Sequence, residues 1–266
     1  MVHFSWQYPW TVEIGSVRIL WHVILEYLAF FIGFRYYVWL RKRQGDIIKT
    51  ETRLWVLIGA IAGAIIGSRL VGGLENLTLL KQSPNKLLYF YSNKTVAGGF
   101  LGGLFGVEAI KKIIGEKTKT GDLFVHPMLL ALIIGRVGCV SMGMHEDVYG
   151  YPTSFFTGIN VGDGLKRHPL MLYEISCLIL LWIFIRQIEK NFRLAGGARF
   201  KIFMIAYIFF RLCIEFLKTR ETYFLQLGAI QIACLLGLVY YGRYILFPKN
   251  LLHHENNIAT PAAKAL

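Results

Sequence analysis

The chain has 266 residues, of which 55% are hydrophobic and 15% aromatic but only 17% charged, against about 25% charged in soluble domains. So much apolar surface with so few charges excludes a soluble globule, and the aromatic content excludes a disordered chain. The 29 Lys+Arg against 16 Asp+Glu give a formal charge of +13. In a polytopic membrane protein, which this composition describes, such an excess marks one side of the bilayer rather than a nucleic-acid partner.

The first residues, MVHFSWQYPW, lack a basic n-region and a small-residue cleavage site, so no removable signal peptide is expected. A membrane-spanning helix needs about 20 mostly apolar residues. Segments of that kind fall near 19–40, 54–74, 95–114, 123–143, 169–188, 200–217 and 225–247, which predicts an all-α bundle of about seven transmembrane helices. The third segment is Gly-rich and the least apolar. Lys and Arg gather between segments 1 and 2 (Arg41, Lys42, Arg43, Lys49, Arg53), 3 and 4, and 5 and 6, and after segment 7. That side holds roughly twice as many as the other, which predicts an outside N-terminus and a cytoplasmic C-terminus. Residues 1–252 read as one membrane domain and 253–266 as a disordered cytoplasmic tail. The longest connection, 144–168, faces outward on this topology and has the length of a functional loop. Cys139, Cys177, Cys213 and Cys234 lie in apolar stretches without a CxxC or a His/Cys cluster, so neither a disulfide framework nor a metal site is expected. Nothing points to a cofactor.

Ionisable groups within a membrane are costly and mark function by default. Glu26, Arg69, Arg136, Glu174, Arg211 and Glu215 are of this kind, whereas Arg35 lies near a span end and can snorkel. Arg211 and Glu215 are four apart on one helix and can pair. Arg136 sits in G-R-V-G, whose small neighbours admit a ligand, and Arg69 in G-S-R-L precedes Glu75 and Asn76. Arg69, Arg136, Arg211, Glu75 and Glu174 all fall in the outer half of the membrane. Several arginines in one leaflet suit an anionic phospholipid headgroup, because guanidinium forks match phosphate oxygens. The outer loop adds His145, Glu146 and Asp147, then Arg167 and His168, and a His near carboxylates can accept a proton; His22 is a further candidate. Gly59, Gly63 and Gly67, with Gly99/Gly103 and Gly102/Gly106, repeat at small-xxx-small spacing that packs helices closely. Gly98 and Gly99 at the mouth of segment 3 also leave room for a lipid headgroup.

In order along about residues 14–240, these motifs resemble those of the prolipoprotein diacylglyceryl transferases of bacterial inner membranes. The matching stretches are I-G-S-V with Trp21, G-S-R-L at 67–70, A-G-G-F-L-G at 97–102 and I-G-R-V-G at 134–138. They continue with Y-G-Y-P-T at 149–153, R-H-P-L-M-L-Y-E at 167–174 and F-R-L-C-I-E-F at 210–216. The resemblance implies transfer of the diacylglyceryl group of phosphatidylglycerol to the lipobox cysteine thiol of a prolipoprotein, releasing glycerol 1-phosphate. It implies that Arg136 binds phosphate, that Arg211 and Glu215 belong to the active site, and that Arg69, Tyr173, Glu174 and Tyr207 share its cavity. His168, His145 and Glu146 are the candidates for the proton acceptor. The pattern departs at Ala97, where the family carries His before Gly-Gly, and at Cys139, where it often carries Asn. Two readings follow: a divergent transferase, or a paralogue that uses the lipid pocket for another acceptor or only to bind lipid.

Overall fold

The computed structural model describes residues 2–5, 7–145, 149–218, 221–223 and 226–252; the expected tail at 253–266 and Glu146 lie outside them. The chain opens with a three-stranded antiparallel sheet, β1 (Val2–Ser5), β2 (Thr11–Ile14) and β3 (Val17–Leu20), which corrects a purely all-α expectation. Its strands are too short to register against seven longer apolar segments, yet T-V-E-I alternates as strands do, and Gly15 at φ 63° turns β2 into β3.

The rest is mostly helical. The helices are α1 (Trp21–Gln44), α2 (Thr50–Gly73), α3 (Leu77–Gln82), α4 (Lys86–Ser92), α5 (Val96–Ile114), α6 (Val125–Val140), α7 (Leu170–Asn191), α8 (Ala198–Ile214), α9 (Ala229–Tyr240) and α10 (Gly242–Leu246). Among the described residues, four helices are long and apolar enough to cross a membrane: α1, α2, α6 with the preceding turn, and α7. Within the other three expected segments lie α5, α8 and the shorter α9. Local chemistry sets several starts. The side chains of Asn76, Asn85 and Thr95 cap α3, α4 and α5 by accepting from Leu79, Leu88 and Gly98 backbone N–H groups. The cap of α8 comes from a distant segment: Asp122 accepts from the backbone of Gly197 at 2.6 Å and of Phe200 at 2.9 Å.

Helix α2 packs along α5, α1 along α6, and α7 against α6 and α8. Glycine makes the first contact possible. A Cβ on Gly63 would lie 2.2 Å from the Gly102 carbonyl, and one on Gly106 would lie 2.0 Å from that of Gly59. The α5 residues in closest contact are Gly98, Gly102 and Gly106; Gly99 and Gly103 stand farther off. So Gly98 does not leave room for a headgroup, because the Gly67 carbonyl fills the space a side chain would take. A mainly apolar core of Leu101, Leu129, Leu178, Phe203, Met204 and Ile208 joins α5, α6, α7 and α8.

The two ends of the bundle differ. At the Lys/Arg-rich end, Arg53, 2% exposed, holds both Asp46 oxygens through Nε and Nη2 and donates from Nη1 to the Thr120 carbonyl at 2.9 Å. Arg41 reaches the same carboxylate at 2.9 Å. Burial pushes the Asp46 carboxyl up, but the Arg53 hydrogen bonds and charge outweigh it and hold it below the usual carboxylate range. At the opposite end the 144–168 connection folds back on the helices. There β4 (Ile159–Asn160) pairs with β5 (Lys166–Arg167), and Val161 packs on Cys139 and Met171.

Candidate active site

Near the loop end of the bundle, α6, α7 and α8 each send a charged side chain inward. On α7, Glu174 is 2% exposed and stands at the centre. It accepts from Arg136 Nε of α6 at 2.9 Å, from Arg211 Nη1 of α8 at 3.3 Å, and from the Tyr207 hydroxyl at 2.8 Å. Arg211 also pairs with Glu215 one turn on. Two guanidiniums and two carboxylates make the group neutral as a set, which is how buried charge is tolerated. Aromatic rings hold Tyr207 in place: Phe100 meets it edge-on at 5.1 Å and Phe203 stacks on it at 5.9 Å.

The arginines are not fully used. Arg136 Nη1 donates to a weak acceptor, Cys139 Sγ, at 3.6 Å. Arg211 Nε is buried without a hydrogen-bond partner among the described residues. Beside Arg136, a Cβ on Gly135 would meet nothing within 4 Å. Two guanidiniums so placed are donors of the kind that match an oxyanion. Such an anion would compete with Glu174 for both guanidiniums.

The other expected site residues fall elsewhere. Arg69 lies over the Tyr91 ring at 4.9 Å, so its helix position points it towards α4 rather than Glu174. Glu75 pairs with Lys218 at 3.0 Å, and Asn76 caps α3. Although Tyr173 is adjacent to Glu174 in sequence, it points to another face of α7. Its hydroxyl meets Thr157 and lies 3.0 Å from His168 Nδ1. His145 is exposed, with Nδ1 3.2 Å from the Met142 carbonyl. His22 lies 3.6 Å from Glu26, which Lys94 approaches at 3.3 Å. Ala97, 1% exposed, belongs to the same apolar cluster as Tyr207. The resemblance had placed Glu174 and Tyr207 in one cavity with Arg136 and Arg211, but sequence reasoning did not foresee the Arg136–Cys139 contact or that Glu174 is the acceptor the others share. The i,i+3 spacing was a signal for the first; the second needed three helices at once.

The fold and the site together define a helical membrane protein with a buried arginine–carboxylate cluster. Residues 9–247 match the prolipoprotein diacylglyceryl transferase family, and the chain belongs to that family. It is 28% identical to the phosphatidylglycerol–prolipoprotein diacylglyceryl transferase of Cupriavidus metallidurans, over 96% of this chain and 97% of that one. The enzyme of the same name from Finegoldia magna is 27% identical over 85% of this chain and 88% of its own. The Dehalococcoides mccartyi enzyme is 27% identical over 86% and 88%.

Proposed function

We propose that the protein transfers the diacylglyceryl group of phosphatidylglycerol to the lipobox cysteine of a prolipoprotein in a bacterial inner membrane. The observation that carries this reading is the meeting of Arg136 and Arg211 on Glu174, with a donor left over on Arg211. In the reaction the substrate thiolate attacks the diacylglyceryl carbon. A C–S bond forms, the C–O bond to phosphate breaks, and glycerol 1-phosphate leaves with an added negative charge. Arg136 and Arg211 stabilise that charge, which develops as the bond breaks. Glu174 and Tyr207 hold the two guanidiniums in position, and Glu215 anchors Arg211. The thiol must lose its proton to become an effective nucleophile. His168, His145 and Glu146 are the candidates for the proton acceptor, and the Tyr173 hydroxyl lies 3.0 Å from His168 Nδ1, where it can orient that ring. Residues 1–252 act as one domain of seven spans, the N-terminus outside and the C-terminus cytoplasmic, so that the cluster faces the outer leaflet.

The test is complementation in a bacterium whose own transferase is shut off, followed by gel mobility and mass of the lipoprotein N-terminal peptide. Rescue with a diacylglyceryl adduct is expected, and Arg136→Ala should abolish it while the protein still inserts. Failure of the inserted wild-type chain would favour the paralogue with another acceptor, a reading that Ala97 in the family's His position supports.

A further inference from the structure

On the outward face of α7, towards the Lys/Arg-rich end, Ile179, Trp182, Ile183, Arg186, Gln187 and Lys190 line a recess of about 560 Å³. Their spacing puts them on one stripe of the helix, apolar first and cationic last. Ile179 and Ile183 are 44% and 60% exposed. Arg186 and Lys190 are four apart and exposed, and neither meets a carboxylate among the described residues.

One wall of the recess is fixed from behind. The Trp182 indole stacks on His126 of α6 at 6.0 Å and 28° between planes. His126, 2% exposed, lies 3.3 Å from Glu189, whose other oxygen pairs with Arg199 of α8. Glu189, the nearby carboxylate of α7, is therefore already neutralised and does not offset Arg186 and Lys190. Its cationic end begins at Arg186, about 18 Å along α7 from Glu174 at 1.5 Å per residue, and so is separate from the arginine–carboxylate cluster.

We infer that this stripe binds an anionic phospholipid of the leaflet at the Lys/Arg-rich end. Arg186 and Lys190 take the phosphate, Gln187 donates to the headgroup, and an acyl chain runs over Ile183 and Ile179 beside Trp182. Charge complementarity and the order of polar and apolar residues fit a lipid better than a second copy of the chain, whose matching face would carry the same uncompensated charge.

The experiment reconstitutes the full chain in phosphatidylcholine vesicles that carry either brominated phosphatidylglycerol or brominated phosphatidylcholine. Subtracting the Trp182→Phe protein isolates the quenching of Trp182. Phosphatidylglycerol should quench Trp182 at lower mole fraction, with a preference of up to about thirtyfold, which corresponds to about 1 kcal/mol for each cation. Arg186→Gln with Lys190→Gln should remove the preference. The charge-keeping pair Arg186→Lys with Lys190→Arg should retain it, which separates loss of binding from loss of fold. Equal quenching by the two lipids would overturn the inference. So would relief of quenching by millimolar inorganic phosphate, which would assign the site to a soluble anion. Shielding of Trp182 from both lipids together with crosslinking between chains would assign the face to a second copy instead.

Discussion

Removing Glu174 tests the cluster most directly. Glu174→Ala takes away the acceptor that Arg136, Arg211 and Tyr207 share. Arg211 keeps Glu215, but Arg136 is left with the Cys139 sulfur, and the set changes from neutral to one net positive charge. Breaking a buried ion pair by deleting one partner costs about 3–5 kcal/mol. At roughly 2–4 °C per kcal/mol for a chain of this size, the thermal midpoint in detergent should fall by about 6–20 °C. Glu174→Gln keeps the shape and one acceptor oxygen and should fall by less. If phosphate and Glu174 compete for the same guanidiniums, inorganic phosphate or glycerol 1-phosphate should raise the midpoint of Glu174→Ala more than that of the wild type. A variant that melts within about 1 °C of the wild type, with no greater rescue by phosphate, would refute the reasoning.

Three further outcomes follow from the same geometry. Arg211→Ala and Glu215→Ala should couple in a double-mutant cycle by about 0.5–3 kcal/mol, and additive effects on stability would show that the pair in the structure carries no energy. Gly102→Ala puts a Cβ 2.2 Å from the Gly63 carbonyl and should lower the midpoint by several degrees, whereas Gly135→Ala enters open space and should melt as the wild type does; equal effects would contradict the α2–α5 contact. Asp46 is held below its usual range when folded. Its contribution is therefore complete above the unfolded pKa of about 3.9 and is lost as pH falls through the folded value. The stability gap between wild type and Asp46→Asn should close as pH drops below about 4, and a gap that stays constant would remove Asp46 from the account.

Much of this protein was legible in the chain because a membrane writes its demands locally. Each helix must be apolar over its own length, so α1, α2, α6 and α7 follow from consecutive residues. The i,i+4 spacing of Arg211 and Glu215 needs only one helix, and the pair is present. The glycine spacing announced close packing, but which α5 glycines face α2 depends on how both helices are rotated, and Gly98, Gly102 and Gly106 make the contact. The sheet at 2–20 escaped a reading tuned to segments of about 20 residues.

Site membership was the harder matter. Arg69, Arg136 and Arg211 look alike in sequence, each a charge inside an apolar stretch. Only the packing of α6, α7 and α8 brings two of them to Glu174 and leaves Arg69 on Tyr91. Tyr173 and Glu174 are neighbours in the chain, yet the rotation of about 100° from one helical residue to the next sends the first to His168 and the second into the core. By itself the sequence determined that the chain lives in a membrane, where most of its helices lie, and which charges are too costly there to be incidental. Tertiary structure decided which of those charges meet, because a buried ion is stabilised by partners from other helices, and no periodicity along one segment encodes their rotation.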